Sequence, residues 1–129
     1  MDEHEFWQFL EESWKGGRAA QVSGVMDFAD PAGSPHGEAV GRQAGRYLQG
    51  HAILPKNYDQ ISEENIIRMG SLLLGKSSAP RTKEAIMMIL AHQPSEVALT
   101  ILAKYNLNPD SGLEFFAQMA LEECAMWNE

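Results

Sequence analysis

The stretch GSLLLGKS at residues 70–77 decides between two folds. Its letters satisfy the phosphate-loop pattern G-x-x-x-x-G-K-[ST], which in a nucleotide-binding protein follows a buried strand and opens a helix. The apolar positions of residues 63–69 instead continue along one helical face through Leu74. Amides inside a helix already bond carbonyls four residues back, so they cannot hold a phosphate. We therefore predict a helix that is capped by Ser62 and stops at Gly75, with no nucleotide site.

The composition is that of a small acidic globular protein. The chain has 129 residues, of which 44% are hydrophobic and 22% charged, enough for one domain with its own core. Ala, Leu, Met and Glu are frequent while Val and Thr are scarce, which favours helix over sheet. The formal net charge of −8 argues against nucleic-acid binding and against docking on an anionic membrane.

Three further features point to a cytoplasmic protein. The first residues, MDEHEF, lack the basic start of a signal peptide. The longest apolar run, Ala85 to Ala91, is too short to cross a bilayer. The single cysteine, Cys124, cannot form an internal disulfide, as expected for a reducing compartment.

The start of the chain is predicted to form two short helices. Residues 2–15 carry an aromatic stripe at helical spacing, with acids in the first turn, where the helix dipole favours them. Gly16 and Gly17 break this helix. A weaker helical segment covers residues 18–29 and ends at the turn of residues 30–33.

A third helix and a connector complete the first half. Ser34 followed by Pro35 is typical of a helix start. Residues 51–61 lack helical spacing and are predicted to be extended. They would join the N-terminal helices of residues 1–50 to a helical array over residues 62–129, all within a single domain.

Three glycines in the predicted third helix, Gly37, Gly41 and Gly45, recur every four residues. On a helix they form a bare ridge, which we define as the glycine ridge. The favoured interpretation is close packing against another helix of the same domain. The alternatives are close approach of a ligand or partner backbone, and an irregular conformation of this stretch.

The last part of the chain is predicted to hold helices at residues 81–92, 94–105 and 110–127. Three segments within them, EAIMMILA, EVALTILA and EFFAQMAL, share a pattern of Glu followed by mostly apolar residues. Short helices joined by Pro-containing turns resemble a helical-repeat module of the HEAT kind. The offsets of 12 and 18 residues are unequal, so the array is predicted to be irregular. Together with the earlier segments this predicts an all-α domain of six or seven short helices.

A basic group at a predicted helix start is a candidate anion site. Lys76, Arg81, Thr82 and Lys83 form the most basic stretch of this acidic chain, and helix N-termini attract anions. The alternative interpretation is a solvated loop between two helices.

The sequence predicts no metal, cofactor or catalytic residue. The four histidines are scattered, and none has a second His or Cys at ligand spacing. Residues 106–117 begin like a calcium loop, but Ser111 replaces its glycine and Ala117 its final glutamate. There is no G-x-S-x-G elbow, and Cys124 follows Glu122 and Glu123, which would raise its thiol pKa.

The tryptophans Trp7, Trp14 and Trp127 lie among acids in the first and last helices. They are a candidate partner interface, because Trp is enriched at interaction hot spots. The alternative is that both terminal helices bury them in a joint core. With no catalytic pattern, the sequence favours a non-enzymatic protein–protein interaction module or regulatory subunit with a protein partner or self-association. The second hypothesis is a small-ligand or phosphate-binding helical protein.

Overall fold

The computed structural model describes residues 1–14, 39–51, 54, 58 and 61–129. These ranges contain six α-helices and no strand, which confirms the predicted all-α class. The helices are α1 (Glu3–Trp14), α2 (Ala39–Gly50), α3 (Glu63–Leu74), α4 (Pro80–Leu90), α5 (Glu96–Asn106) and α6 (Glu114–Trp127). The predicted segment at residues 18–29 and the predicted helix start at Ser34 lie outside the described residues. Among the described helices, none combines the length and apolar character that crossing a bilayer requires.

Helix α4 is the central element of the fold. Every residue from Thr82 to Gln93 is buried, and α4 contacts α2, α3, α5 and α6. A helix that is apolar on all sides is stable only when neighbouring elements cover each side. Its buried Glu84 accepts a 2.6 Å hydrogen bond from Nε of Arg46, which fixes α2 against α4.

Helix α3 contains the first half of the phosphate-loop pattern. Ser62 caps it by accepting a hydrogen bond from the amide of Asn65 at 3.2 Å, and the helix continues through Leu74. Gly75 follows it with φ −74° and ψ 169°, an extended conformation that does not depend on glycine. The prediction of a helix that stops at Gly75 is confirmed, and residues 70–74 lack the loop geometry that holds phosphates.

Close backbone packing occurs at glycines other than those of the glycine ridge. A Cβ added at Gly41 or Gly45 would meet no described atom within 4 Å, so the packing predicted there is not with the described helices. Gly37 lies outside the described residues. A Cβ at Gly70 would instead lie 2.6 Å from Cδ1 of Ile101, where α3 crosses α5. Among the described glycines, the tightest contact is therefore at Gly70 of α3, followed by Gly50 of α2 against Met88.

The last helix begins later than the sequence predicts. The sequence predicted a helix from residue 110, but α6 starts at Glu114. Its first amides are satisfied from α2, because Oε1 of Gln43 accepts hydrogen bonds from the amides of Phe115 and Phe116 at 2.7 and 2.9 Å. This long-range cap holds α2 against the start of α6.

Candidate metal centre

Two helices end close together, and each is followed by a histidine. Nδ1 of His51 lies 3.0 Å from the carbonyl oxygen of Tyr47 in the last turn of α2. Nδ1 of His92 lies 2.8 Å from the carbonyl oxygen of Met88 in the last turn of α4. Carbonyls in a last helical turn lack a helical partner, and a carbonyl oxygen can only accept. Each Nδ1 therefore carries a proton, which leaves Nε2 of each ring to face a partner outside its own helix.

Glu123 of α6 brings its carboxylate to both of these nitrogens. Its Oε1 lies 3.4 Å from Nε2 of His51, and its Oε2 lies 2.8 Å from Nε2 of His92. Within the part of the chain that the structure describes, this is the one group of three or more side chains able to share a metal ion, with ligand atoms inside 4.8 Å. His92 is almost fully buried, while the His51 side chain is 36% exposed. The cluster thus opens to solvent on the His51 side.

The Nε2 atoms and the Glu123 carboxylate need a proton or a metal ion between them. Nε2 of His92 and the carboxylate oxygen 2.8 Å away would both be acceptors, so a proton or a metal ion must lie between them. Helix capping explains the Nδ1 bonds, but it does not explain why both Nε2 atoms face one carboxylate. Ligand atoms about 2.0–2.2 Å from a tetrahedral metal lie about 3.3–3.6 Å apart. The 3.4 Å between Nε2 of His51 and Oε1 fits this range, whereas the 2.8 Å between Nε2 of His92 and Oε2 is a hydrogen-bond distance that would have to widen around a tetrahedral ion.

Tyr47 also contacts the carboxylate of Glu123 and orients it. Its hydroxyl donates a hydrogen bond to Oε1 of Glu123, and its ring makes an edge contact with Phe116 at 5.0 Å between centroids. Burial, followed by the bond to Glu123, raises the pKa of Tyr47 above its ordinary value, so the phenol stays a donor. Backbone carbonyls on Nδ1 and a donor on the carboxylate are the outer contacts that usually surround metal ligands.

Aromatic rings surround the two imidazoles. The His51 and His92 rings meet edge to face at 4.9 Å, and Tyr58 lies 5.6 Å from His92. Trp127 lies 6.3 Å from the His92 ring and is 51% exposed. The cluster therefore has an indole at its edge that can report on changes there.

The predicted interface tryptophans do not form one described surface. Trp7 is partly buried at the start of α4, where its Nε1 donates to the Thr82 hydroxyl at 3.1 Å. Trp127 lies beside His92, just beyond the other end of α4. Trp14 ends α1, and its side chain lies outside what the structure describes. Trp7 and Trp127 thus occupy opposite ends of the central helix.

The predicted anion site is divided between two faces of α4. The carboxylate of Glu3 accepts hydrogen bonds from the amide of Ala79, at 3.1 Å, and from the hydroxyl of Thr82. The Arg81 guanidinium lies 5.9 Å from the Trp7 ring. The chain thus supplies its own anion at this helix start. Lys76 and Lys83 belong to a separate pocket.

Reasoning from local spacing did not find the histidine–glutamate cluster, because its members are far apart along the chain. His92 was expected to end its helix, and it does follow α4, but nothing in the sequence aligns it with His51 or Glu123. The neighbouring Cys124 is buried, and its thiol accordingly has a pKa raised to about 11, with burial the main cause. The chain matches no protein-family model, no curated protein and no solved structure.

Proposed function

We propose that this protein binds a divalent transition-metal ion through Nε2 of His51, Nε2 of His92 and the carboxylate of Glu123. The observation that carries the proposal is the convergence of two imidazole Nε2 atoms on one carboxylate, with both Nδ1 atoms already donating to backbone carbonyls. Two imidazoles and a carboxylate suit Zn²⁺, Fe²⁺, Ni²⁺ or Cu²⁺, whereas Ca²⁺ and Mg²⁺ prefer all-oxygen sites.

Such an ion would join three elements of the fold. Its ligands come from the end of α2, the end of α4 and the C-terminal half of α6. Three protein ligands leave at least one coordination position for water or another small ligand, as in open zinc sites. The partial exposure of His51 supports an open position that would face solvent.

Titration of tag-free, chelator-treated protein with Zn²⁺ in a calorimeter tests the proposal. A tag must be absent because polyhistidine binds the same ions. We expect one ion per chain, with affinity reduced at least about tenfold by His92→Ala or Glu123→Gln. Loading with Co²⁺ should give visible absorption bands of a site with nitrogen and oxygen ligands.

His4→Ala is the matched control. His4 is an exposed histidine of α1, remote from the cluster along the chain, so its removal should leave the affinity unchanged. If wild-type protein takes up no ion, or if His4→Ala weakens binding as much as His92→Ala, the metal site is not the one proposed.

The interaction role predicted from the sequence stays a second proposal, with support at one end of α6. Met126 and Trp127 are 65% and 51% exposed, whereas Trp7 is partly buried and hydrogen-bonded. Self-association through this end would be lowered by Trp127→Ala but not by Leu107→Ala, which removes another exposed apolar side chain. Size-exclusion chromatography with light scattering measures this, and a strict monomer at high concentration contradicts self-association.

A further inference from the structure

A second feature lies at the other end of α4 and owes nothing to the histidine–glutamate cluster. A pocket of about 590 Å³ is formed where the end of α3, the start of α4 and the end of α5 meet the loop before α6. Its volume lies in the range of small-ligand sites. We call it the lysine pocket, because Lys76, Lys83 and Lys104 all line it.

The lysine pocket concentrates positive charge in an acidic protein. Its three lysines are all the lysines in the part of the chain that the structure describes. Asp110 is the one acid among the lining residues, so the local formal charge is positive although the whole chain carries −8. Lys76 and Lys104 are exposed and make no ion pair among the described residues. Two cations at the rim are therefore available to an anion.

Lys83 is the buried member of the lysine pocket. Its side chain is 4% exposed, and its Nζ donates to the carbonyl oxygen of Gly75 at 2.7 Å and to Oδ2 of Asp110 at 2.6 Å. An ammonium has three N–H bonds, so these contacts account for two of them. The same Oδ2 accepts the hydroxyl proton of Tyr105 at 2.6 Å. These contacts hold the ammonium in one position, with one N–H bond left over for a ligand.

Part of the remaining wall of the lysine pocket is apolar, beside the polar Asn108 and Ser111. Leu73, Leu74 and Pro109 line it, together with the ring of Tyr105. A bare inorganic anion would leave this surface unused, whereas an anion attached to a flat or aliphatic group would cover it. We propose that the lysine pocket binds a small organic phosphate, with the phosphate at the lysines and the organic part against this apolar wall.

Phenyl phosphate, inorganic phosphate and phenol separate the two parts of this recognition. They should be titrated into the full-length protein in the presence of a chelator, so that no metal-bound phosphate contributes, with amide chemical shifts as the readout. We expect saturable shifts at Tyr105 and Ser111 with phenyl phosphate, weaker ones with inorganic phosphate and none with phenol. Added salt should weaken binding, because the contacts are ionic.

Lys104→Ala and Lys76→Ala should each weaken phenyl phosphate binding at least about fivefold, as expected for a lost hydrogen bond to a charged group. Arg68→Ala is the matched control, because it removes one exposed cation from α3 without touching the lysine pocket. The proposal is overturned if phenol binds as tightly as phenyl phosphate, if Arg68→Ala weakens binding equally, or if no titrant gives saturable shifts.

Discussion

The two ends of α4 carry clusters made of the same parts. At its first turn, Lys83 binds the carboxylate of Asp110, and the Tyr105 hydroxyl donates to that carboxylate. Just beyond its last turn, His92 faces the carboxylate of Glu123, and a tyrosine hydroxyl again donates to the carboxylate. From residue 83 to residue 92 the chain advances about 14 Å, at about 1.5 Å per helical residue.

The two clusters differ in whether they are electrically complete. A lysine ammonium brings its own charge and protons, so the pair with Asp110 needs nothing from outside. A neutral imidazole that donates from Nδ1 brings only a lone pair at Nε2, and the facing carboxylate brings more lone pairs. The first cluster is thus a complete ion pair, and we propose that the second is completed by a metal ion. The following changes separate these two descriptions.

The largest expected effect is metal-dependent stability at the histidine end. At a free Zn²⁺ concentration of 100 Kd, binding should raise the free energy of unfolding by about 2.7 kcal/mol. Urea denaturation with and without the ion measures the increment. Lys83→Met should retain the full increment, whereas Glu123→Gln, with affinity at least about tenfold weaker, should retain at most about 1.4 kcal/mol of it. An equal increment in Glu123→Gln would mean that the ion binds elsewhere.

The next effect concerns the stability of the metal-free protein near pH 8. Here the substitution at the lysine end should be the more destabilising one. Lys83→Met leaves the Gly75 carbonyl and the Asp110 carboxylate without their donor, and should cost about 1–3 kcal/mol. Glu123→Gln should change stability by less than about 1 kcal/mol, because the new amide can donate to Nε2 of His92 and its oxygen can still accept from Tyr47. Thermal or urea unfolding compares the variants.

Comparable losses of stability in Lys83→Met and Glu123→Gln would contradict the proposed difference between the two clusters. They would show that Glu123 and His92 already form a protonated ion pair as complete as that of Lys83 and Asp110. The Glu123→Gln variant is close in volume to the parent, so packing does not confuse the outcome.

Replacing either tyrosine by phenylalanine tests a smaller and more selective effect, on the affinity for Zn²⁺. Tyr47→Phe removes the donor that orients Glu123, and should weaken Zn²⁺ binding about tenfold, which corresponds to about 1.4 kcal/mol. Tyr105→Phe removes the equivalent donor at the other end and should leave the Zn²⁺ affinity unchanged. Calorimetric titration of both variants gives the comparison. If both weaken binding alike, the effect is general loosening of the core and not orientation of a ligand.

Most of the helices, but not the two clusters, could be predicted from the sequence. Apolar periodicity placed α3 and α4 correctly, and the Ser62 cap set a boundary, because these signals act within a few residues. The predicted start of α6 was wrong because Gln43, which is distant in sequence, caps that helix. Asp110 instead accepts a hydrogen bond from Lys83. Contacts of this kind depend on how the helices pack around α4.

The histidine–glutamate cluster was missed for the same reason. His51 and His92 each look like an isolated residue at a helix end, and Glu123 like one acid among several. Only the packing of α2 and α6 against α4 and against each other brings the three together. The lysine pocket was half predicted: Lys76 and Lys83 were grouped, but Lys104 comes from α5 and Thr82 faces Glu3.

The smallest expected effect is the pH dependence of the lysine end. Hydrogen bonds from Lys83 and then from Tyr105 hold the pKa of Asp110 below its ordinary value, so ionised Asp110 stabilises the fold above the pKa of the unfolded chain. This contribution should fade as the pH falls below about 4, toward the lowered pKa of the folded state. The stability difference between wild type and Asp110→Asn should therefore be constant from pH 8 to 5 and shrink at lower pH. Because the Asp110 side chain is 46% exposed, solvent keeps the effect small. A difference that grows on acidification would mean that the contacts with Lys83 and Tyr105 do not stabilise Asp110 in its ionised form.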